Sequence, residues 1–279
     1  SSLSRFDNDA INNVITMRKR VFFPTRSFGS DGPIPDREAV VEWVGARRGK
    51  QGDLTTFRLE AELVPQIDAG VGNPCAGGKF YQDRLISSLF GIEGRAITGE
   101  LGCDILPIVK DAEDLASIQK DLWFAFPAPR ELGLSNRFYH DSEEGISALL
   151  AVYREMMRSM RDKGISGHIL HCEKPVKEEL EALAGRKVFF FSHIETEKTL
   201  EILLEYQGTV AVRSSALGLI EDLMDEYDVQ KIILIDAREE DLLRALEIKD
   251  AEHLICGGYC PDFCDHYWKS MVENASVFR

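Results

Sequence analysis

From residue 142 onward, amphipathic stretches of helix length alternate with short apolar runs, five times over. The apolar runs read Gly167 to Cys172, Lys187 to His193, Thr209 to Ser214, Lys231 to Asp236 and His253 to Gly258. Between them, Val176 to Ala184, Thr196 to Tyr206, Leu217 to Tyr227 and Glu239 to Ile248 carry apolar residues at helical spacing. The runs start about twenty-two residues apart, the rhythm of βαβ units in a parallel sheet. Such strands are apolar throughout because helices cover the sheet.

The first half is patterned less regularly. Asp36 to Arg47 predicts a capped helix, and Thr56 to Leu63 alternates with period two, which predicts a half-exposed strand. Arg95 to Glu100 and Asp121 to Phe126 predict two more strands, with a helix at Asp111 to Lys120. Gly70 to Lys79 and Phe126 to His140, rich in Gly, Pro and Asn, read as long loops. Counted from Phe57, the strands number eight. The expectation is an α/β fold of parallel strands alternating with helices, a (β/α)8-like barrel, with an open doubly wound sheet as the alternative. Residues 1–50 are expected to form a helical or irregular segment ahead of a barrel-like domain over 51–279.

Composition narrows the setting. With 279 residues and 44% hydrophobic content, the chain can bury a large core. A net charge of -14 disfavours attraction to a phosphate backbone, so nucleic acid is not expected as a partner. No apolar run approaches the roughly 18 residues of a membrane span. Six cysteines in so long a chain do not make a disulfide-dense secreted framework, which points to a reducing, cytoplasmic home. Ser1-Ser2-Leu3-Ser4, with neither Met nor a charged-then-apolar leader, reads as a processed or truncated start.

The chemistry-bearing residues gather at predicted strand ends. The last strand runs into Gly257-Gly258-Tyr259-Cys260-Pro261-Asp262-Phe263-Cys264-Asp265-His266, and thiolate and imidazole so close together suit Zn²⁺. The other reading makes Cys264 a small buried hydrophobe and His266 a surface residue. A second group, His168-Ile169-Leu170-His171-Cys172, closes another strand. Side-chain alternation puts His168 and Cys172 on one face and His171 on the other. If all strands are parallel, Cys172 and Cys256 meet at one carboxyl edge. The candidate metal set is therefore His168, Cys172, Cys256 and Cys260. The alternative is a buried thiol beside a histidine bonded to a backbone carbonyl.

Other strand ends are polar too. His193, Arg213 and Ser214 are candidates for binding a small anionic substrate, Arg213 as the clamp because guanidinium grips carboxylate or phosphate in bidentate fashion. Glu173 and Asp236 are the candidate catalytic carboxylates. Ser214, Ser215 and Asp236 also have the residue types that cap helices. Three further signals carry less. Gly72 to Lys79 lacks the hydroxyl that a phosphate-binding loop needs after its lysine, since Phe80 follows. Val210 to Ala216 resembles a nucleotide-binding segment of the pyruvate phosphate dikinase family over seven residues only. Met156, Met157 and Met160 lie at helical spacing and read as core. Cys75 and Cys103 sit in polar, glycine-containing segments and have no assigned role.

With its site at a barrel mouth, the chain resembles the uroporphyrinogen decarboxylase superfamily, in particular its zinc-dependent corrinoid methyltransferases. The pieces that carry the resemblance are His171-Cys172 or His168, then Cys256, and the segment Val109 to Leu115. The pair is His-Cys where that family has His-x-Cys, and one further strand precedes Cys256. The resemblance implies zinc held by such residues, transfer of a methyl group to a thiol, and a corrinoid as methyl carrier. A noncatalytic metabolite-binding protein with structural cysteines is the competing expectation.

Overall fold

A computed structural model describes residues 18–47 and 52–279. The expectations for the chain start, and those for 48–51, lie outside the described residues. Eight parallel strands run in chain order around one interior: Thr25–Ser30 (β1), Cys75–Gly77 (β2), Trp123–Pro127 (β3), Gly167–His171 (β4), Val188–Phe191 (β5), Thr209–Val212 (β6), Lys231–Ile235 (β7) and Leu254–Cys260 (β8). Ladders join β2-β3-β4-β5 and β6-β7-β8-β1. The two sheets meet where Asn73, just before β2, exchanges backbone bonds with β1: Ser27 N donates to Asn73 O at 3.0 Å, and Asn73 N to Thr25 O at 3.0 Å. Between β5 and β6 there is no ladder among the described residues. There the Gln207 side chain substitutes for a neighbouring backbone, accepting from Phe190 N at 2.6 Å and donating to Phe190 O at 3.1 Å. The seam's edge amide and carbonyl are thereby satisfied.

The interior explains why strands on opposite sides belong together. Phe28, Cys75, Ala125, Ile169, Phe189, Phe191, Ala211, Ile233, Ile235 and Tyr259 form one buried cluster with members from every strand. Phe28 and Phe191 stack at 4.5 Å across it. Alternate residues of the same strands face outward, into two larger layers under the helices. Leu149, Tyr153, Met156, Met157 and Met160 fill one of these from the long helix Ser142–Asp162 (α5), so the methionine stripe is core. Each fully buried side chain of this kind contributes about 1.5–3 kcal/mol.

Several first-half expectations are corrected. Thr56 to Leu63 lies within the helix Leu54–Asp68 (α2), started by a box in which the Asp53 carboxylate accepts from Thr56 N and Thr56 Oγ1 accepts from Asp53 N. Its buried residues Leu59, Leu63 and Gln66 recur at three and four, and that period outweighs the alternation. Arg95 to Glu100 is strand, but in a hairpin outside the barrel, Leu89–Glu93 paired with Ala96–Cys103. The missing barrel strands are β1 and β2. The first comes from residues 25–30, within the stretch expected to precede the barrel, and the second from within the expected loop Gly70 to Lys79. The helix at Asp36 to Arg47 is present as Arg37–Ala46, capped by the Asp36 carboxylate.

Candidate functional site

The carboxyl ends of β1, β2, β4, β5 and β8 make a mouth in which polar groups crowd together. Two glycines allow the first of these ends to converge. Gly29 (φ +97°) passes so near β2 that a Cβ there would lie 2.5 Å from the Gly77 carbonyl, and a Cβ on Gly77 (φ +79°) would collide with the Ala125 carbonyl. The chain then turns at Asp31, whose amide donates to Cys260 O at 2.7 Å. The Asp31 carboxylate accepts from Lys79 N at 3.0 Å, from Phe80 N at 2.7 Å and from the Tyr259 hydroxyl. Burial raises the Asp31 pKa against the pull of those amides and of Arg58 and Lys79. Behind it Glu62 accepts from Ser30 Oγ at 3.2 Å and Arg58 Nε at 3.3 Å, and burial, reinforced by Asp31, lifts its pKa to about 8.

Tyr259 rises through the mouth between two imidazoles, 5.0 Å from the His171 ring and 4.8 Å from that of His193. The histidine rings lie 6.0 Å apart and nearly parallel. His171 presents Nε2 to Phe28 O at 2.7 Å, and a carbonyl accepts only, so Nε2 carries the proton and Nδ1 the lone pair. Buried Nδ1 has no hydrogen-bond partner, nor has Nε2 of His193. Burial holds His171 at a pKa of about 3, with His193 and Lys79 adding to the effect. His193 is held at about 4 by burial, Lys79 and Arg213. Both rings are therefore neutral at physiological pH and line a cleft of about 250 Å³. Lys79, Gln82, Glu131, Cys172 and Glu173 complete its wall, with the Lys79 ammonium 5.8 Å from the Tyr259 ring centre.

The candidates from sequence fall in different places. His193 and Glu173 line the cleft, and so does Cys172, though its thiol is buried against Phe191 O at 3.7 Å and its pKa is driven up by burial and by Glu131 and Glu179. His168 shares the face of Cys172 but points outward, fully buried beneath α5, with Nε2 3.1 Å from Met157 O. Cys256 faces the outer layer on the opposite side of the ring, and burial pushes its thiol up to about 12. Cys260 is bonded to Cys264 in a disulfide. The set His168, Cys172, Cys256 and Cys260 is thus not brought together, and no group of three or more His, Cys, Asp or Glu among the described residues has metal-ligating geometry. The residues as arranged do not fit the expected zinc.

Arg213 is exposed at the end of β6, its amide donating to Glu195 Oε1 at 2.7 Å and its guanidinium 3.8 Å from the same oxygen. Ser214 begins a single 3-10 turn without a capping bond. Asp236 also caps nothing. It sits in the left-handed region (φ +53°), accepts from the Tyr267 hydroxyl and lines a separate surface cleft, while the next helix, Glu239–Ile248, starts with Asp241 accepting from Arg238 N at 2.8 Å. Sequence reasoning missed Asp31, Lys79 and Tyr259 as site residues, and it named His171 in the family resemblance but left it out of the candidate metal set. The alternation it used had already placed His171 opposite His168; what it lacked was knowledge of which face is inside.

No protein-family model matches the chain, and no curated protein does. Among solved structures the fold is similar to a Listeria monocytogenes protein assigned provisionally as a vitamin-B12-independent methionine synthase, with a TM-score of 0.62 and 15% identity over 88% of this chain and 94% of that one. It is also similar to a B12-independent methionine synthase from Shewanella sp. W3-18-1 in complex with selenomethionine, with a TM-score of 0.58 and 15% identity over 91% and 96% of the two chains. At such identity the likeness speaks for the fold.

Proposed function

We propose that this protein is a methyl-transfer enzyme that acts on a small, carboxylate-bearing thiol at the barrel mouth. The observation that carries the reading is the pair of neutral imidazoles, buried His171 and half-buried His193, that line a cleft beside Lys79. The fold shared with methionine synthases supports methyl transfer as the reaction class. Both of those neighbours are B12-independent, so the reading needs no corrinoid. Lys79 and Arg213 attract the substrate carboxylate and favour the thiolate over the thiol. The His171 and His193 rings line the cleft and so orient the substrate. Exposed Glu173 passes the thiol proton to water. The sulfur lone pair then attacks the methyl carbon of the donor, and the bond to the donor breaks with its electron pair left on the donor. Because the expected ligands do not converge, no step is assigned to zinc.

The test is to incubate the protein with homocysteine and, separately, a methylated folate, methylcobalamin and a sulfonium methyl donor, and to look for the thioether by mass spectrometry. Product from one donor is expected, reduced at least about a hundredfold by His171→Ala. Folded protein that gives no thioether with any of the three sinks the reading. A second reading, a metabolite binder with structural cysteines, is favoured by the burial of Cys172 and Cys256 and by the Cys260–Cys264 disulfide, and retention of homocysteine without turnover would support it.

A further inference from the structure

A second cleft, of about 290 Å³, opens on the far side of the 3-10 turn Pro129–Leu132 from the mouth and shares no lining residue with it. The hairpin strand Ala96–Cys103, the first turns of α5 and the loop before the helix Lys177–Leu183 enclose it. Its wall is mainly apolar, built by Ile97, Leu134, Ile146, Leu149 and Val176, with exposed Arg130 at its polar rim. Into this wall the fold sets one carboxyl group, that of Glu179, which is 4% exposed.

Glu179 Oε1 accepts from Arg130 N at 2.6 Å, and no basic side chain among the described residues forms an ion pair with it. A carboxyl group removed from water and left without an ion pair is an unfavourable arrangement, relieved by a cation or by a proton. Burial raises the pKa of Glu179 to about 7, Glu131 and Glu178 push the same way, and the amide and charge of Arg130 oppose them. Support of the turn does not account for the charge, because the neutral amide of a glutamine would accept from Arg130 N equally well. An apolar pocket with one buried acidic group is the form of a small-ligand site, and that group sets what enters. The charge of Arg130 at the rim is screened by water while that of Glu179 is not, so an amine is favoured over an acid, and a neutral hydrocarbon would leave the carboxyl without an ion pair.

We propose that this cleft is a second binding site, for a small primary amine with an apolar body, whose ammonium pairs with Glu179 while its hydrocarbon fills the wall. The test uses the full chain, with butylamine, cyclohexylamine and phenethylamine as probes and 3-phenylpropanoate as the acidic counterpart of the last. Binding is read by calorimetry and by the shift in melting temperature. At least one amine is expected to bind in the millimolar range or tighter, with 3-phenylpropanoate at least about tenfold weaker. Glu179→Gln, which keeps the acceptor for Arg130 N, is expected to erase the preference for amine over acid. Ile146→Trp, on a residue 41% exposed at the cleft edge, is expected to block all the probes without touching the core. Failure of all three amines to bind overturns the proposal. So does equal binding of amine and acid, or amine binding left intact in Ile146→Trp, which reads the site even if Glu179→Gln does not fold.

Discussion

His168 and His171 stand three residues apart on β4, and by several measures they are the same residue. Both are buried, both set Nε2 against a backbone carbonyl, both leave Nδ1 unpartnered, and both are held by burial at a pKa of about 3. They differ in the side of the strand they occupy. His168 faces outward against α5, with Phe126 and Met157 around it and Arg161 adding to its depression. His171 faces inward, among Tyr259, His193 and Phe191 beneath an open cleft. Burial and a shifted pKa therefore do not by themselves mark a site; access to a ligand does.

The sharpest way to break this contrast is to remove each ring in turn. His171→Ala is expected to lower the methyl-transfer rate at least about a hundredfold with a modest change in melting temperature, since its ring borders a cleft. His168→Ala is expected to cost about 2–4 kcal/mol of stability from the cavity and the lost bond, with the rate per folded molecule little changed. Denaturant titration and initial rates on both variants check this, and equal activity losses would erase the distinction.

A smaller effect follows from what the two rings share. Their pKa of about 3 lies below the ordinary 6.5, so between those values the unfolded chain binds protons that the folded chain refuses. Stability is expected to fall as pH is lowered through that window, by roughly 2–4 kcal/mol for each imidazole. His168→Gln is expected to flatten this limb, as chemical denaturation at pH 4, 5, 6 and 7 would record.

Glu62, behind the mouth, gives the opposite slope. Its pKa of about 8 exceeds the ordinary 4.5, so the folded state keeps a proton that the unfolded state releases, and stability falls as pH rises between those values. Glu62→Gln is expected to remove that decline and to gain about 1–3 kcal/mol over the parent at pH 8, with little difference at pH 5. A parent and variant with parallel stability curves would contradict the assignment.

The second half of the fold was legible because each strand is buried on both sides and each helix on one. The five predicted strands from Gly167 onward match the observed ones to within a few residues. The first half was obscured because β2 is only three residues long, held by its neighbours' ladders and not by any apolar run of its own. In Thr56 to Leu63 a helix carried a strand's alternation by coincidence; the Asp53 and Thr56 box and the Leu59 and Leu63 spacing were the signals that identify it. At the site, sequence led to the end of β4 but favoured the wrong face, and it missed Asp31 because the strand before it went unrecognised.

By itself, the sequence determined the parallel α/β rhythm, the outer helical core and the gathering of polar residues at strand ends, all of which follow from local periodicity and burial. The tertiary structure alone decided which polar residues meet. Alternation sorts a strand's side chains into two faces, but only the packing of the two sheets around one interior assigns one face to the inside. That packing brought His171, His193 and Tyr259 to one mouth and left His168 and Cys256 packed beneath helices on opposite sides.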